Sequence, residues 1–558
     1  MANETTQRKR DFNRYLALRS EYGANFEPTH RQINDFIYPQ GGKFDEEGTP
    51  NDGSRKDEYI INSTATIALR TLVSGIWGAI TSPANKWVNL TIDDKVLRED
   101  ASVKEYFAEV TDILLSSLGK SNFYTAIEAV YAGICAFGTG VVQMEADVES
   151  IFRFTPFIIG QYYIDTGASG RVDYVAQVIQ MRARNVIEKF GEENVSDKVK
   201  NAVRSNNAGE TYVDILHIQQ RNTDRDVSKL DSKNKLYSSR YWEMNGNDDS
   251  KPLRESGYDT KPFAAFRWSV RGSNTWGTGP GELGLPDTKE LQTLAKDRSR
   301  ALAKQVEPPL VALGSAGSLD INTAADGITY VDGITQGQQP ALSPAYQVNT
   351  NLADLDASIA VVERRLMTIF FADLFFLLSS FNEKTQTATE VIARTREQLR
   401  LLGPIIERLI PEGFENIISR GYDILNKMGR LPEPPEIIRD RDIKIEIISL
   451  ISQAQEQTAV APIEQLYATV RAMSETHPEV LDVFNADNAA REVGTALGTV
   501  PDVLNSVDEV LDFRLAKAKQ AQELQEREQA QAVTGMAKEL SETETSGNNA
   551  LAAVTGAV

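Results

Sequence analysis

The chain has 558 residues, 41% hydrophobic and 25% charged, with a formal net charge of −20, so it has room for several cores of ordinary globular composition. The negative charge argues against a protein that grips DNA by neutralising phosphates, because that affinity comes from Lys and Arg displacing counterions; it leaves open a surface past which DNA slides without sticking. One cysteine, Cys135, excludes an internal disulfide framework and suits a reducing compartment.

The opening stretch MANETTQRKRDFNRYLALRS is charged and amphipathic and lacks the apolar core of a signal peptide. Residues 1–38 read as two helices. Residues 61–81 read as a third, with Ala65, Leu69, Leu72, Val73 and Ile76 at helical spacing, and helices near 103–118 and 124–137 follow. A membrane span needs about 20 mostly apolar residues. The two richest stretches, 66–81 and 129–143, carry Arg70 or several glycines and read as buried helices, so no membrane role is expected.

From about 140 to 270 the pattern changes to short strands: VVQMEAD, VDYVAQVIQM, YVDILHIQQ, KLYSSRYWEM and PFAAFRWSV, with one helical insert, ARNVIEKFG. The expected fold class is α+β, mainly helical, with an antiparallel sheet. Residues 286–305 read as a helix with proline in its first turn, stopped by Pro308-Pro309. Residues 306–350 are rich in Gly, Pro and Ser, with strand-like LVALG and ITYV. A long helix is expected over about 352–378, and another from near 388 to 429, kinked or broken by Pro404 and Pro411. After a strand-like DIKIEII, residues 450–530 read as helical, and the tail from about 541 as polar and mobile.

Few motifs point to chemistry. GPGELG, Gly279–Gly284, matches a dinucleotide glycine pattern. The second parallel strand with its acidic residue is missing, and the string reads better as a turn feeding a helix. Gly119-Lys120-Ser121 ends like a phosphate loop, but the required earlier glycine falls on Leu114. The three histidines, His30, His217 and His477, are scattered, which disfavours a zinc site or a nucleophilic triad. Asp93-Asp94 and Asp248-Asp249 read as solvated turns rather than cation sites. No cofactor, metal or catalytic residue is expected.

Two helices carry more information. On 286–305, Lys289, Lys296, Arg300 and Lys304 fall on one side, opposite Leu291, Leu294, Ala295 and Leu302. This basic stripe is either a solvated face or a placed set of charges. On 352–378, Leu352, Leu355, Ile359, Val362, Leu366, Ile369, Asp373 and Leu377 form a packing seam. Beyond Leu366 the helix is apolar almost all round, so burial on several sides is expected. Asp373 on that seam would then need a cationic or hydrogen-bonding partner; Arg394 and Arg396 are the first candidates. Thr387 and Glu390 form a capping box that starts the next helix. Residues 379–386, with Asn382, Glu383, Lys384 and Gln386, then read as a short polar loop between two helices.

The order of these pieces resembles the portal, or head-to-tail connector, proteins of short-tailed bacteriophages. The resemblance runs over roughly residues 10–470, through RQINDFIYPQGGKF, TATIALRTLVSGIWGAITSPANKWVNL, PFAAFRWSVRGSNTWGTGPGELGLPDTKELQTL and TATEVIARTREQLRLLGPIIERL. It implies a virion component, assembled in the host cytoplasm, that forms a ring of twelve subunits at one capsid vertex. Residues 1–285 and 387–449 would form the wing, 286–305 and 351–378 the stem helices, and 306–350 the clip. Residues 379–386 would be the tunnel loop facing the channel, 450–530 the crown and 531–558 a mobile tail. Implied partners are the terminase motor, then tail or adaptor proteins, the major capsid or scaffolding protein, and double-stranded DNA passing without sequence specificity. Asp373 would be a buried acid between subunits. The alternatives are another virion component such as a head–tail adaptor, usually much shorter, or a packaging enzyme, against which Leu114 counts.

Overall fold

The computed structural model describes residues 7–39, 41–44, 57–84, 86–98, 100–204, 209–229, 231–246, 251–313, 322, 324–325, 327–331, 342–344, 351–379, 402–439, 443–447, 463, 465–474, 477–496, 507–542, 544–545 and 548–549. The chain divides into two units, Met1–Gln455 and Glu456–Val558.

The first unit opens with α1 (Gln7–Asn25), α2 (Glu27–Phe36) and α3 (Thr64–Ile80), then β1 (Val88–Ile92), α4 (Lys95–Arg98), α5 (Ala101–Lys120) and α6 (Phe123–Phe137). The helical spacing foreseen in α3 is realised: Ala65, Leu69, Leu72, Val73 and Ile76 are all buried. Asp100 caps α5 by accepting from the Ser102 and Val103 amides. Gly138 ends α6 at φ +75°, the left-handed conformation a helix C-terminus often needs.

The β region forms two antiparallel sheets where the sequence suggested one. The first holds β2 (Thr139–Asp147) between β3 (Ile151–Pro156) and β9 (Phe263–Arg267). The second is ordered β4 (Tyr162–Thr166), β5 (Val172–Arg182), β6 (Tyr212–Arg221), β7 (Tyr237–Glu243) and β8 (Arg254–Tyr258). Between β5 and β6 stand α7 (Ala183–Phe190), the foreseen insert, and α8 (Asp197–Arg204), which pack a small separate core around Val186, Phe190 and Val199. Asp11 holds α1 to the larger sheet. Its carboxylate takes two hydrogen bonds from Arg240, at 2.9 and 3.0 Å, and one from Trp242 Nε1 at 3.1 Å. Removing either partner from such a buried pair strands a charge, at a cost of about 3–5 kcal/mol.

The helix expected at 286–305 starts earlier, as α9 (Pro280–Val306). Pro280 takes the first-turn position, Gly279 stands before it and Pro286 lies inside the helix. The GPGELG string is therefore helix rather than turn. A Cβ on Gly281 would lie 2.0 Å from the Ala136 carbonyl oxygen, so this glycine lets α9 press against α6.

After α9 come β10 (Leu310–Leu313), β11 (Ile328–Val331) and β12 (Leu342–Pro344), with β10 paired parallel to β11 and antiparallel to β12. The single long helix expected next is two: α10 (Leu352–Ile369) and α11 (Ala372–Ser379). The break falls at Phe370-Phe371, where Phe371 takes φ +53°, a conformation bulky residues rarely adopt.

Of the two prolines foreseen as kinks, Pro411 interrupts the helix, while residues 380–401, ahead of Pro404, lie outside the described ones. Pro404 sits in the first turn of α12 (Gly403–Leu409), and Pro411 lies in a π turn, Ile410–Phe414, that leads into α13 (Glu415–Lys427). Arg267 of β9 binds Glu412 in this turn through two hydrogen bonds, at 2.7 and 3.0 Å. The strand expected at DIKIEII is β13 (Ile443–Ile447), antiparallel to β1.

In the second unit the described helices are residues 465–474, α14 (Ala486–Ala496) and α15 (Val507–Glu542). Helix α15 runs past residue 530, where the sequence reading ended the helical region.

Candidate channel and assembly elements

Helices α9 and α10 run antiparallel, linked across their length by ion pairs. Arg365 reaches Glu290 at 2.9 Å and Asp287 at 3.3 Å, and further along Arg298 binds Asp356. Hydrogen bonding between the last two holds the Arg298 guanidinium above its ordinary range and the Asp356 carboxyl below. Both groups are exposed, so the contact sets register more than stability.

The pair has two different halves. In its upper part Leu291, Ala295, Val362 and Leu366 are buried against the body. From Lys296 to Val306 and from Leu352 to Val361 no side chain is buried. The inner seam residues there, Leu352, Leu355 and Ile359, are half-covered, while Leu302, Val306 and Val361 are 40%, 70% and 54% exposed. This half is a two-helix stalk without a core of its own.

A polar clamp marks the boundary. The Gln292 side-chain oxygen accepts from the Ile61 and Asn62 amides at 2.7 and 2.9 Å, and its nitrogen donates to the Asn62 carbonyl at 2.8 Å. Asn62 Nδ2 in turn donates to Glu363 Oε1 of α10 at 2.8 Å. Asn62 Oδ1 also accepts from the Thr64 amide at 2.9 Å, starting α3. One short segment thereby ties both stalk helices to the body. No sequence signal marks this clamp, because its members are polar residues hundreds of positions apart that meet only in the fold.

The basic stripe is divided by the structure. Lys289 is half-buried on α2: it donates to Gln32 Oε1 and lies 5.7 Å from the Phe36 ring centroid. Lys296 and Arg300 are exposed, Arg300 lying 3.8 Å from Asp297, and Lys304 is half-buried. The exposed cations therefore lie on the stalk.

Part of the apolar stretch at the end of the second stalk helix is covered within the single chain. Phe370, Ala372, Leu374 and Phe375 are all buried. Phe375 sits where a Cβ on Gly75 would come within 2.3 Å, and Phe370 where a Cβ on Gly284 would come within 3.0 Å. Asp373 is exposed in the chain, accepting a hydrogen bond from the Thr368 hydroxyl at 3.2 Å. The spacing that set it on the seam assumed one continuous helix, and the break at Phe371 shifts the helical phase. The loop residues Asn382, Glu383, Lys384 and Gln386, the cap Thr387 and Glu390, and Arg394 and Arg396 lie outside the described residues, as does Asp248-Asp249.

Two of the histidines are buried in structural contacts, while His477 is exposed. His30 is fully buried among Tyr22, Phe26, Phe137 and Trp276, with Nδ1 2.9 Å from the Tyr22 hydroxyl. Burial pushes it down to about 4. His217 stacks on Tyr241 at 3.8 Å, bonds Ser239 at 2.9 Å, and is pushed down to about 3 by burial and then by Lys189. Cys135 is buried, and burial pushes its thiol well up, away from reactivity. Among the described residues no group of His, Cys, Asp and Glu could hold a metal ion, and no helix is long and apolar enough to cross a membrane.

Comparison with known proteins adds the following. A family described as "Bacteriophage head to tail connecting protein" matches residues 11–504. A "Portal protein" of Salmonella phage epsilon15 is 34% identical over 553 residues, covering 99% of this chain and 98% of its own. A "Probable portal protein" of Bordetella phage BPP-1 is 32% identical over 554 residues, covering 99% of each. Among solved structures, a chain of "Virion of native gene transfer agent (GTA) particle" aligns with 79% of this chain and 91% of its own, at 10% identity and a TM-score of 0.34, too low to carry an argument.

Proposed function

The chain belongs to the family of bacteriophage head-to-tail connecting proteins, and from that premise we propose that it is the portal of a short-tailed phage. Copies form a closed ring at one capsid vertex, and the hole in the ring is the channel through which double-stranded DNA is packaged and later ejected. The ring has twelve subunits. The terminase motor docks on residues 306–350 during packaging, and tail or adaptor proteins replace it. The remaining body, residues 1–285 and 387–449, faces the capsid or scaffolding protein as the wing. Residues 450–530 form the crown, followed by the tail 531–558, and 379–386 the loop that meets DNA. The protein's part is structural: it positions, seals and guides, while the motor supplies the energy.

One observation carries this reading. A pair of helices with no buried side chain of its own is poorly held as a rod in water, since most helix stability comes from packing an apolar face. The stalk nevertheless exposes Leu302, Val306 and Val361. Side-by-side copies around an axis would cover these residues and give the stalk its missing core.

The chemistry of passage agrees. DNA slides best through a channel that does not neutralise its phosphates, and a ring of chains each carrying −20 is strongly acidic overall. Lys296 and Arg300 on the stalk then either offset neighbouring carboxylates or meet the passing backbone. Electron microscopy of the purified full chain tests the proposal. Closed rings with a central hole are expected; a stable monomer under all assembly conditions overturns it.

A further inference from the structure

Tyr59, Ile61 and Ile67 are 58%, 50% and 50% exposed, three large apolar side chains on or next to the segment that leads into α3. Tyr59 rests one side on the Phe36 ring at 5.6 Å. The backbone of this segment, at Ile61 and Asn62, is the part held by Gln292. Gln292 itself is only 5% exposed, and its amide makes three hydrogen bonds to backbone. A buried glutamine amide so satisfied fixes geometry, because any tilt of α9 against the segment leaves a buried polar group unpaired. Glu363 adds the second stalk helix to the same knot through Asn62 at 2.8 Å and Thr64 at 3.3 Å.

A contact repeated head to tail closes into a ring only where the turn per copy divides a full circle. Near twelve copies, one more subunit changes that turn by only about 2°. A subunit that meets its neighbour at two places, on the stalk and on the segment before α3, keeps a single closure number only if the angle between those places is fixed. Resting on the ring reading, we propose that Tyr59, Ile61 and Ile67 seat against a neighbouring copy, and that Gln292, Asn62 and Glu363 are positioning residues that set how many copies close the ring.

Native mass spectrometry of the full-length chain tests this, with thermal unfolding to confirm that each variant folds. Wild type is expected to give one ring mass. Gln292→Leu and Glu363→Ala are expected to spread over two or more neighbouring counts, while Glu363→Gln, which keeps the accepting oxygen, returns to one. The double variant Ile61→Asp, Ile67→Asp is expected to lose at least ten-fold of its ring fraction. If Glu363→Ala and Gln292→Leu give the wild-type count alone, or the double aspartate variant forms rings as abundantly as wild type, the proposal is overturned. Glu363 is only partly covered, so its variant keeps the test decisive if Gln292→Leu fails to fold. Wild-type chain that forms no ring refutes the ring reading instead.

Discussion

At the scale of single residues the most informative groups are those burial has silenced. His30 and His217 are held neutral far below the ordinary imidazole value. In the unfolded chain the same rings take up protons near pH 6.5. Above that pH neither state is charged and the full stability is present. As pH falls from 6.5 towards 4, the unfolded state binds protons that the folded state refuses, and stability is lost. For His30 the loss by pH 4.5 is about 2 kcal/mol. The unfolding midpoint of wild type should therefore fall more steeply between pH 6.5 and 4.5 than that of His30→Phe. Equal slopes would show that His30 titrates normally. Asp373 is a different case: counting in threes and fours sets it on the seam of one continuous helix, and the break at Phe371, in the left-handed region, leaves it exposed within the single chain.

At the scale of elements, the helices and strands with a clean pattern are readable: α3 buries a single continuous stripe, α6 is an apolar run buried almost all round from Val130 to Phe137, and β5 to β7 each carry β-branched and aromatic runs. What escaped was decided by distant partners. Nothing near Phe370 breaks a helix by composition; the break exists because Phe370 and Phe375 bury on opposite sides of it, on Gly284 and Gly75. The sequence places the start of α9 at Pro286, a proline suited to a first turn, and reads Gly279–Gly284 as a turn; the helix instead begins at Pro280, with Gly281 packed on Ala136. Gly281→Val should accordingly destabilise the body by about 3 kcal/mol, the upper end of the usual overpacking range, read from denaturant unfolding, because its side chain would displace the α6 backbone. A second test concerns charge. Lys296 and Arg300 are exposed, so Lys296→Glu with Arg300→Glu should leave the unfolding midpoint within a few degrees of wild type. It should reduce ring yield or the number of DNA-filled heads by roughly ten-fold. Wild-type rings and full heads would make the stripe an ordinary solvated face.

At the scale of the whole molecule, the family is legible in the sequence, through strings spread along most of the chain. The joints are not: β1 with β13 and the Gln292 clamp unite residues from opposite ends of the first unit. The proposed division of labour puts the DNA-facing work on a few residues between α11 and α12. Replacing Glu383 and Lys384 by alanine should leave ring assembly intact and lower the DNA retained per particle, measured by packaged genome length. If rings fail instead, that stretch is architectural.

The small mixed sheet of β10, β11 and β12 has a consequence for how such chains change over generations. Among the described residues its strands pair only with each other, and the antiparallel helices on either side bring the chain back beside the point where it left. The piece from Glu307 to Asn351 is therefore a cassette with adjoining ends. Insertions, deletions or exchange between lineages within it leave the register of α9 on α10 untouched. If this piece is the docking face proposed above, phages that adopt a different motor or tail would rewrite it while inheriting the rest of the chain.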